Sequence, residues 1–325
     1  MSKVPADVCD DVEMVTVPQV SVFGEALVDL IVPEDGEVHA VFGGAPFNTA
    51  RALGRLGVLT SFVGSIADDR FGDGIAAQLE ADGVSIDRVR RTASPTTLAL
   101  AELSPSGSAS YRFYVDGTSA QESFEDFSMD NGGWMMTGGL GLVLDPVADQ
   151  IVSYLERRPA ATRAMIDVNC RPRVISRPDE YRARVATVFS MVDVVKVSDE
   201  DLTYLYPNTP IRDAAQQVLA AGPALVLLTA GSDPVEAFTA RHSARVEVPP
   251  ANVVDTVGAG DTFGAGFLAW WTHYAEAESI ETETLTDLDV VTRAVKTGIH
   301  ASAIAVGRRG ADPPYRGELD ETLWD

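Results

Sequence analysis

The stretch VVDTVGAGDTFGAGFLAWW, from Val253 to Trp271, runs from a cluster of small residues straight into an apolar segment of helical length. Gly258 and Gly260 have no side chain, so backbone N–H groups can approach an anion closely at this point. The N-terminus of the following helix adds a partial positive charge. The stretch therefore predicts a turn that binds phosphate and leads into a helix.

Asp261 follows this turn directly and would lie beside the bound anion. A carboxylate at that point could take a proton from an attacking hydroxyl group. The residues also allow a structural interpretation, in which Asp261 only caps the helix and the glycines permit close packing. The turn has no Walker A lysine, and its looser GxGxxxG spacing keeps a dinucleotide-dependent oxidoreductase among the alternatives.

The composition favours a globular protein that does not bind nucleic acid. The chain has 325 residues, 46% of them hydrophobic, and its 48 acidic and 25 basic residues give a net charge of -23. This charge would repel a phosphate backbone over most of the surface. The two cysteines, Cys9 and Cys170, form no CxxC pair, which argues against disulfides or a zinc site and suits a reducing cytoplasm.

The N-terminal stretch from Met1 to Pro18 carries acidic residues and has neither the basic start nor the apolar core of a signal peptide. No apolar run reaches the ~18 residues that a membrane-spanning helix needs. We therefore expect residues 1–18 to be a flexible tail, residues 19–325 to form one domain, and the protein to be cytoplasmic and independent of membranes.

From Gln19 onward, short β-branched runs alternate with amphipathic stretches, a pattern that predicts an α/β fold with a mostly parallel central sheet. The strand predictions are Val20–Phe23, Ser61–Val63, Ala164–Val168, Val192–Val197 and Leu225–Thr229. The helix predictions are Pro46–Leu56 and Phe71–Asp82.

Two regions depart from this alternation, at about residues 30–42 and 96–118. The second contains two β-like runs around a Pro-Ser-Gly turn, from Thr96 to Val115. We expect both regions to be antiparallel excursions that form a small β lid over a ligand at the carboxyl ends of the parallel strands. A surface hairpin without such a role is the alternative.

Several motifs together resemble the PfkB carbohydrate kinase family, also called the ribokinase family. DTVGAGDTFGAGF resembles its C-terminal signature, and GGAPFNTARALGRLG, from Gly43 to Gly57, resembles its N-terminal signature. The phrases GEALVD, DVNCRP, VVKVSDEDL and GADPP are similar to the fructokinase branch. The resemblance implies a ribokinase-like three-layer α/β/α fold with a small β lid, and an ATP-dependent sugar kinase.

The resemblance also assigns roles to individual residues. The catalytic group comprises Asp261 as the base, the turn Gly258, Ala259 and Gly260, and Arg171 near the transferring phosphate. The substrate-binding group comprises Asp29, Gly43, Gly44, Asn48 and Asp261. The nucleotide-binding group comprises Lys196, Ser198, Thr229, Gly231, Gly258 and Gly260, and the helix from Val291 to Ala305 should flank adenine.

The resemblance implies ATP and Mg²⁺, with a monovalent cation such as K⁺ as an open option. The family's NxxE motif, which organises magnesium, reads Ser-Asp-Glu-Asp from Ser198 to Asp201, so the metal role passes to Asp201, with the neighbouring Asp199 and Glu200 as alternatives. Magnesium is also expected because it offsets phosphate charge while binding few carboxylates. The family's lids often pair across a two-fold axis, so a homodimer through the lid is another expectation.

The fructokinase-like phrases favour D-fructose, phosphorylated at its 6-hydroxyl, over ribose, a nucleoside or 2-keto-3-deoxygluconate. Few basic residues occur in the segments assigned to the sugar, which disfavours a phosphosugar; Arg51 and Arg112 are the exceptions to check. A non-catalytic sugar- or nucleotide-binding regulator on the same fold is the alternative from another class, and the intact Asp261 argues against it.

Overall fold

The computed structural model describes residues 19–33, 36–103, 109–129, 132–277 and 284–324. The predicted tail at residues 1–18 lies outside the described residues. The strands, in chain order, are β1 Val20–Phe23, β2 Leu27–Val32, β3 His39–Gly43, β4 Thr60–Ala67, β5 Val84–Ser85, β6 Val89–Thr92, β7 Leu98–Leu103, β8 Ala109–Tyr114, β9 Trp134–Gly138, β10 Arg163–Asp167, β11 Val194–Ser198, β12 Leu225–Ala230, β13 Asp233–Phe238 and β14 Ser243–Val246. The helices are α1 Ala45–Arg55, α2 Arg70–Ala81, α3 Val147–Arg157, α4 Pro178–Phe189, α5 Asp199–Leu205, α6 Ile211–Ala220, α7 Ala259–Ala277 and α8 Leu288–Ala305.

A large sheet forms the centre of the molecule. Its strand order is β14-β13-β12-β11-β10-β9-β1-β4-β5, with β6 beside β4. The pairings from β12 to β5 are parallel, and β13 and β14 extend the sheet as an antiparallel edge. The predicted α/β fold with a mostly parallel sheet is therefore confirmed.

Helices cover both faces of this sheet, because its central strands are apolar throughout and must be buried on both sides. Leu53 of α1, Leu79 of α2, Phe267 of α7 and Val295 of α8 belong to the core on one face. Helices α3 to α6 contribute the core on the opposite face. Among the described residues, no helix is long and apolar enough to cross a lipid bilayer.

The two helices at the C-terminal side of the fold, α7 and α8, lie unusually close together. A Cβ atom on Gly266 would come within 2.9 Å of the Cα atom of Gly298. Trp270 and Trp271 are almost fully buried behind the glycine turn, as their helical spacing predicts. Close packing of α7 on α8 thus explains why residue 266 is glycine. Gly258 and Gly260 lie instead at the turn where α7 begins.

The predicted elements agree with the structure to within a few residues at their ends. Helix α8 begins at Leu288, three residues before the predicted Val291, because the side chain of Asp287 caps it by accepting from the N–H groups of Asp289 and Val290. Strands β5, β6, β9, β13 and β14 and helices α3 to α6 were not among the predicted elements. β9 follows Gly132 and Gly133 and is short, so it carries little periodic signal.

A second sheet of four strands, with the order β3-β2-β7-β8, contains most of the two regions expected to form a lid. The outer pairs β2–β3 and β7–β8 are antiparallel, as predicted, whereas the central pair β2–β7 is parallel. β2 follows β1 and β7 follows β6 along the chain, and β1 and β6 run in the same direction because both pair in parallel with β4. The common direction of these two preceding strands explains why β2 and β7 are parallel. The turn at residues 104–108 lies outside the described residues.

Candidate active site

Two asparagines from distant segments hold the carboxylate of Asp261. Asn48 Nδ2 donates to Asp261 Oδ2 at 2.9 Å, and Asn169 Nδ2 donates to Asp261 Oδ1 at 3.2 Å. Asp261 lies in the first turn of α7 and is buried. Burial raises the pKa of Asp261, while the bonds from both asparagines and the charges of Lys196 and Arg171 oppose that rise.

Local backbone geometry brings the two asparagines to this point. Asn48 lies in the first turns of α1, whose start at Gly44 has a φ of 108°. A Cβ atom on Gly44 would come within 2.9 Å of the carbonyl oxygen of Glu25. Asn169 follows β10 and has a φ of 43°, a left-handed conformation that asparagine tolerates better than most residues. The positions of both donor side chains therefore depend on a residue with a positive φ just after a strand, Gly44 after β3 and Asn169 itself after β10.

A buried lysine lies against the glycine turn. Lys196 Nζ donates to both carboxylate oxygens of Asp167, at 2.8 Å and 3.0 Å. A Cβ atom on Gly260 would come within 2.8 Å of the same ammonium nitrogen. Burial lowers the pKa of Lys196, but the charges of Asp167 and Asp201 outweigh this and raise it overall. Burial raises the pKa of Asp167 to about 6, against the effect of Lys196. The ammonium is thus charged at neutral pH beside the predicted phosphate turn.

The C-terminal segment contacts the turn from the other side. Gly258 has a φ of 75°, and a Cβ atom there would come within 2.7 Å of Ala311 Cβ. Arg51 Nη1 donates to the carbonyl oxygen of Ala311 at 2.9 Å, and its Nε donates to Asp82 at 2.6 Å. Glycine is therefore required at position 258 for its conformation and for this close approach.

The residues predicted to bind sugar meet at the junction of the two sheets. Asp29 lies on β2, and a side chain at Gly43 of the neighbouring β3 would collide with its carboxylate. Burial raises the pKa of Asp29 to about 6; the charge of Arg171 lowers it and that of Asp261 raises it. Asn48 Oδ1 is buried and accepts no hydrogen bond within the described structure. These oxygen atoms could bind hydroxyl groups of a ligand.

Arg171 extends from the same loop as Asn169. Its Nη1 donates to the carbonyl oxygens of Cys170 at 3.0 Å and Asn169 at 3.4 Å. The side chain is exposed, and its charge acts on Glu25, Asp29 and Asp261. An exposed guanidinium that faces several carboxylates can bind an anion arriving beside them.

The residues assigned to the nucleotide lie along adjacent strand ends. Ser198 and Thr229 are register partners at the ends of β11 and β12, and Gly231 forms the turn into β13 with a φ of 53°. The described hydrogen bonds do not join Thr229 or Gly231 to Asp261. Asp201 completes a capping box with Ser198 at the start of α5. These residues therefore lie at the ends of β11 and β12, the strands that follow β10 in the order of the large sheet.

The donor atoms present fit only one kind of magnesium site. Among the described residues, no group of three or more His, Cys, Asp or Glu side chains could hold a metal ion. The two carboxylate oxygens of Asp201 accept from the N–H groups of Cys170 and Ser198. Mg²⁺ commonly binds through one or two carboxylates, water and substrate phosphates. The site thus fits a Mg²⁺ ion held mainly by nucleotide phosphates and water.

Two residues without an assigned role from sequence also belong to the site. Asn169 belongs to the phrase DVNCRP and Glu25 to the phrase GEALVD, and neither received a role of its own. The Glu25 carboxylate accepts from the N–H of Gly141 at 3.1 Å, and burial raises its pKa to about 7. The available signal was their position directly after the buried strands β10 and β1, where polar residues collect at the carboxyl edge of a sheet.

The family model for pfkB family carbohydrate kinases matches residues 17–316. A fructokinase of Rhizobium leguminosarum bv. trifolii is 36% identical over 255 residues, which cover 76% of this chain and 77% of the relative. A fructokinase of Vibrio alginolyticus is 30% identical over 297 residues, which cover 90% and 94%. Both relatives therefore share most of their length with this chain.

Solved structures agree with the fold. The crystal structure of a fructokinase with bound ATP from Xylella fastidiosa has a TM-score of 0.81 at 27% identity and covers 91% of this chain and 94% of that one. An aminoimidazole riboside kinase from Salmonella enterica, complexed with aminoimidazole riboside and an ATP analog, has a TM-score of 0.82 at 25% identity and covers 94% and 99%. The glycine turn, the buried Asp261 and the matching family model lead to one conclusion: this chain belongs to the pfkB family of carbohydrate kinases.

Proposed function

We propose that the protein transfers the γ-phosphate of ATP to the 6-hydroxyl group of D-fructose, with Asp261 as the general base. The observation that carries this proposal is the buried Asp261 carboxylate, which two asparagines orient beside the glycine turn and the charged Lys196. A base and an anion site side by side are what phosphoryl transfer to an alcohol requires.

In this proposal Asp261 accepts the proton of the sugar hydroxyl as its oxygen attacks the γ-phosphorus. The new O–P bond forms while the bond to the β-phosphate oxygen breaks, and ADP leaves with that electron pair. Asn48 and Asn169 keep the base oriented, since each of its oxygens accepts from one of them. Positioning and charge stabilisation supply most of the acceleration in such reactions.

The groups opposite the base would stabilise the negative charge of the transferring phosphate. We assign this role to the backbone N–H groups of Gly258, Ala259 and Gly260, to Lys196 and to Arg171. Ser198, Thr229 and Gly231 would contact the rest of the nucleotide. A bound Mg²⁺ ion would offset phosphate charge and would be held mainly by nucleotide phosphates and water, and K⁺ is a further candidate cofactor. The resemblance names Asp201 as a protein ligand of this ion, a role that is tested below against another.

The polar atoms at the sheet junction suit an uncharged sugar. Asp29, the backbone at Gly43 and Gly44, and the unpartnered Asn48 Oδ1 can accept or orient hydroxyl groups. Arg51, a candidate for a second phosphate, is instead buried against Asp82 and Ala311. This arrangement supports a substrate without a phosphate of its own.

Fructose is favoured by the two relatives that are named fructokinases and cover most of the chain. A riboside is the second candidate, because the Salmonella riboside kinase matches the fold as well as the Xylella fructokinase does. Both candidates use the same base and the same phosphate turn. The two candidates differ only in the acceptor group that the residues around Asp29, Gly43 and Asn48 must recognise.

The test is ADP release in the presence of ATP and Mg²⁺ with fructose, ribose, 2-keto-3-deoxygluconate and aminoimidazole riboside. We expect fructose-dependent turnover, and a loss of about 10³-fold or more in kcat for Asp261→Asn, with sugar and ATP binding largely kept. Turnover with the riboside alone would replace fructose as the substrate. No turnover with any of these acceptors would contradict the proposal.

We also propose that the four-stranded sheet acts as a lid and pairs two copies of the chain in the cytoplasm. Val41 and Tyr114 of this sheet, and Val38 directly before β3, are exposed although they are large and apolar, which supports an interface. Sedimentation equilibrium of the protein and of a Val41→Glu variant tests the pairing. A monomeric wild-type protein at micromolar concentration would contradict it.

A further inference from the structure

The carboxylate of Asp201 connects two segments that come from different strands. Its Oδ1 accepts from the backbone N–H of Cys170 at 2.7 Å, in the loop after β10. Its Oδ2 accepts from the backbone N–H of Ser198 at 2.9 Å, at the end of β11. The Ser198 hydroxyl oxygen accepts in turn from the N–H of Asp201 at 3.0 Å. One buried side chain thus fixes the relative position of two adjacent strand ends.

The Cys170 N–H belongs to the peptide unit directly after Asn169, the residue with a φ of 43°. This conformation is unfavourable for a residue with a side chain and needs support from its surroundings. The bond from Cys170 to Asp201 holds the peptide on one side of Asn169. On the other side, the N–H of Val168 donates to the carbonyl oxygen of Lys196 at 3.1 Å. Asn169 is therefore held from both neighbours while its side chain donates to Asp261.

An ordinary helix cap does not explain this arrangement. Asp213 occupies the same third position of α6, where it is exposed and joins no second segment. Asp201 is buried, and each of its two oxygens accepts from a backbone N–H, one in each of the two segments. Aspartate has one methylene less than the glutamate of the family's NxxE motif. Its reach matches the two amides that it bonds.

We propose that Asp201 is a positioning residue, which fixes the loop from Asn169 to Arg171 so that Asn169 holds Asp261 in the orientation needed for proton transfer. The inference rests on the proposed kinase function and differs from the metal role that the resemblance assigns to Asp201. On this proposal the residue acts on the base through Asn169, and magnesium binding does not depend on it.

The variants Asp201→Asn, Asp201→Glu and the control Asp213→Asn test the inference in the full-length enzyme. Asp201→Asn replaces one oxygen by an NH₂ group that cannot accept from a backbone N–H. Asp201→Glu restores the carboxylate of the family motif but with a longer side chain. We expect both to lower kcat by about 10-fold to 100-fold, because small displacements of a catalytic group have effects of that size. Asp213→Asn should match the wild type.

Magnesium provides the readout that separates the two roles. We expect titration calorimetry of ADP with Mg²⁺ to give the same affinity for wild type and Asp201→Asn. We also expect the free Mg²⁺ concentration for half-maximal rate to stay the same. A rate that excess Mg²⁺ restores in Asp201→Asn, or full activity of Asp201→Glu, would establish a metal ligand and overturn the proposal.

A double-mutant cycle with Asn169→Ala tests whether Asp201 acts through Asn169. If it does, the double variant should lose little more activity than the more damaging single variant. Additive losses would contradict the proposed route. If Asp201→Asn does not fold, Asp201→Glu is compared with Asn169→Ala in the same way. An active wild type with an Asp201→Asn that equals Asp213→Asn would refute only this inference, whereas an inactive wild type would refute the proposed function.

Discussion

At the scale of single residues, the proposed role of Asp261 as the base means that its protonation decides how activity depends on pH. Burial raises its pKa above the ordinary value of 3.8, while the bonds from Asn48 and Asn169 oppose this rise. The base must be ionised to accept a proton. The acidic limb of the kcat/KM profile should therefore lie above the range of an exposed aspartate.

Asn169→Ala should move this acidic limb to higher pH. The lost hydrogen bond stabilised the ionised carboxylate, so its removal raises the pKa of Asp261 further. Asn208→Ala is the matched control, because Asn208 also has a positive φ, of 70°, but is exposed in the loop after α5. The pH profile of kcat/KM for the three proteins gives the answer. If the acidic limb of Asn169→Ala stays at the pH of the wild type, Asn169 does not stabilise the ionised form of the base.

The sequence predicted the position of the glycine turn, but it did not predict the contacts that support the turn. Gly258, Gly260 and Asp261 can be located from sequence because glycines directly before an apolar helical segment, with a carboxylate in its first turn, form a local pattern. The hydrogen bonds from Asn48 and Asn169 could not, because they join residues 213 and 92 positions apart. The capping box of Ser198 and Asp201 is a local pattern, but the second bond of Asp201, to the N–H of Cys170, joins residues that are far apart in sequence and could not be predicted either.

At the scale of elements, a buried ion cluster fastens the C-terminal segment to α1 and α2. Arg51 and Arg55 lie one turn apart on α1, and both donate through Nε to Asp82, at 2.6 Å and 2.7 Å. Arg55 Nη1 also donates to Asp312 at 2.6 Å and to the carbonyl oxygen of Pro313 at 2.7 Å. The cluster therefore fixes the segment that touches Gly258.

Asp82→Asn should destabilise the protein by about 3–5 kcal/mol, because it leaves buried arginines without their partner. Asp68→Asn breaks the exposed pair with Arg91 and should change stability by about 1 kcal/mol or less. Urea denaturation of the two variants and the wild type measures the free energy of unfolding. Equal small changes in both variants would mean that the buried cluster contributes little.

The elements themselves were largely predictable, since periodicity and caps are local. Strands β1, β10, β11 and β12 agree with their apolar runs to within a few residues. The parallel pairing of β2 with β7 was not predicted, because a hairpin-like pattern in each region specifies only its own partner. The antiparallel edge of β13 and β14 carries short, mixed sequences without a clear period.

At the scale of the whole molecule, buried carboxyl groups make stability depend on pH. Burial raises the pKa of Glu25 from 4.5 to about 7, and of Asp29 and Asp167 from 3.8 to about 6. Between the ordinary and the raised pKa, the folded state binds more protons than the unfolded state. Stability should therefore fall as the pH rises through this window.

Glu25→Gln should remove part of this dependence, because glutamine does not ionise. A pKa change from 4.5 to about 7 corresponds to ~3 kcal/mol. Relative to the wild type, the variant should thus gain up to ~3 kcal/mol of stability between about pH 4 and about pH 8. Thermal unfolding across this range measures the difference, with the exposed Glu156→Gln on α3 as the control. A constant difference between wild type and Glu25→Gln would show that Glu25 does not titrate in this window.

The contact between Ala311 and Gly258 has a consequence for how the enzyme is made. During synthesis on the ribosome, α1 and the glycine turn leave before the segment that closes over them. The carbonyl group of Ala311 that Arg51 binds, and the methyl group that meets Gly258, emerge later than α1 and the turn. A nascent chain can thus complete its large sheet while the glycine turn still lacks its contact with Ala311. The growing polypeptide would acquire the power to consume ATP only after the segment around Ala311 has emerged.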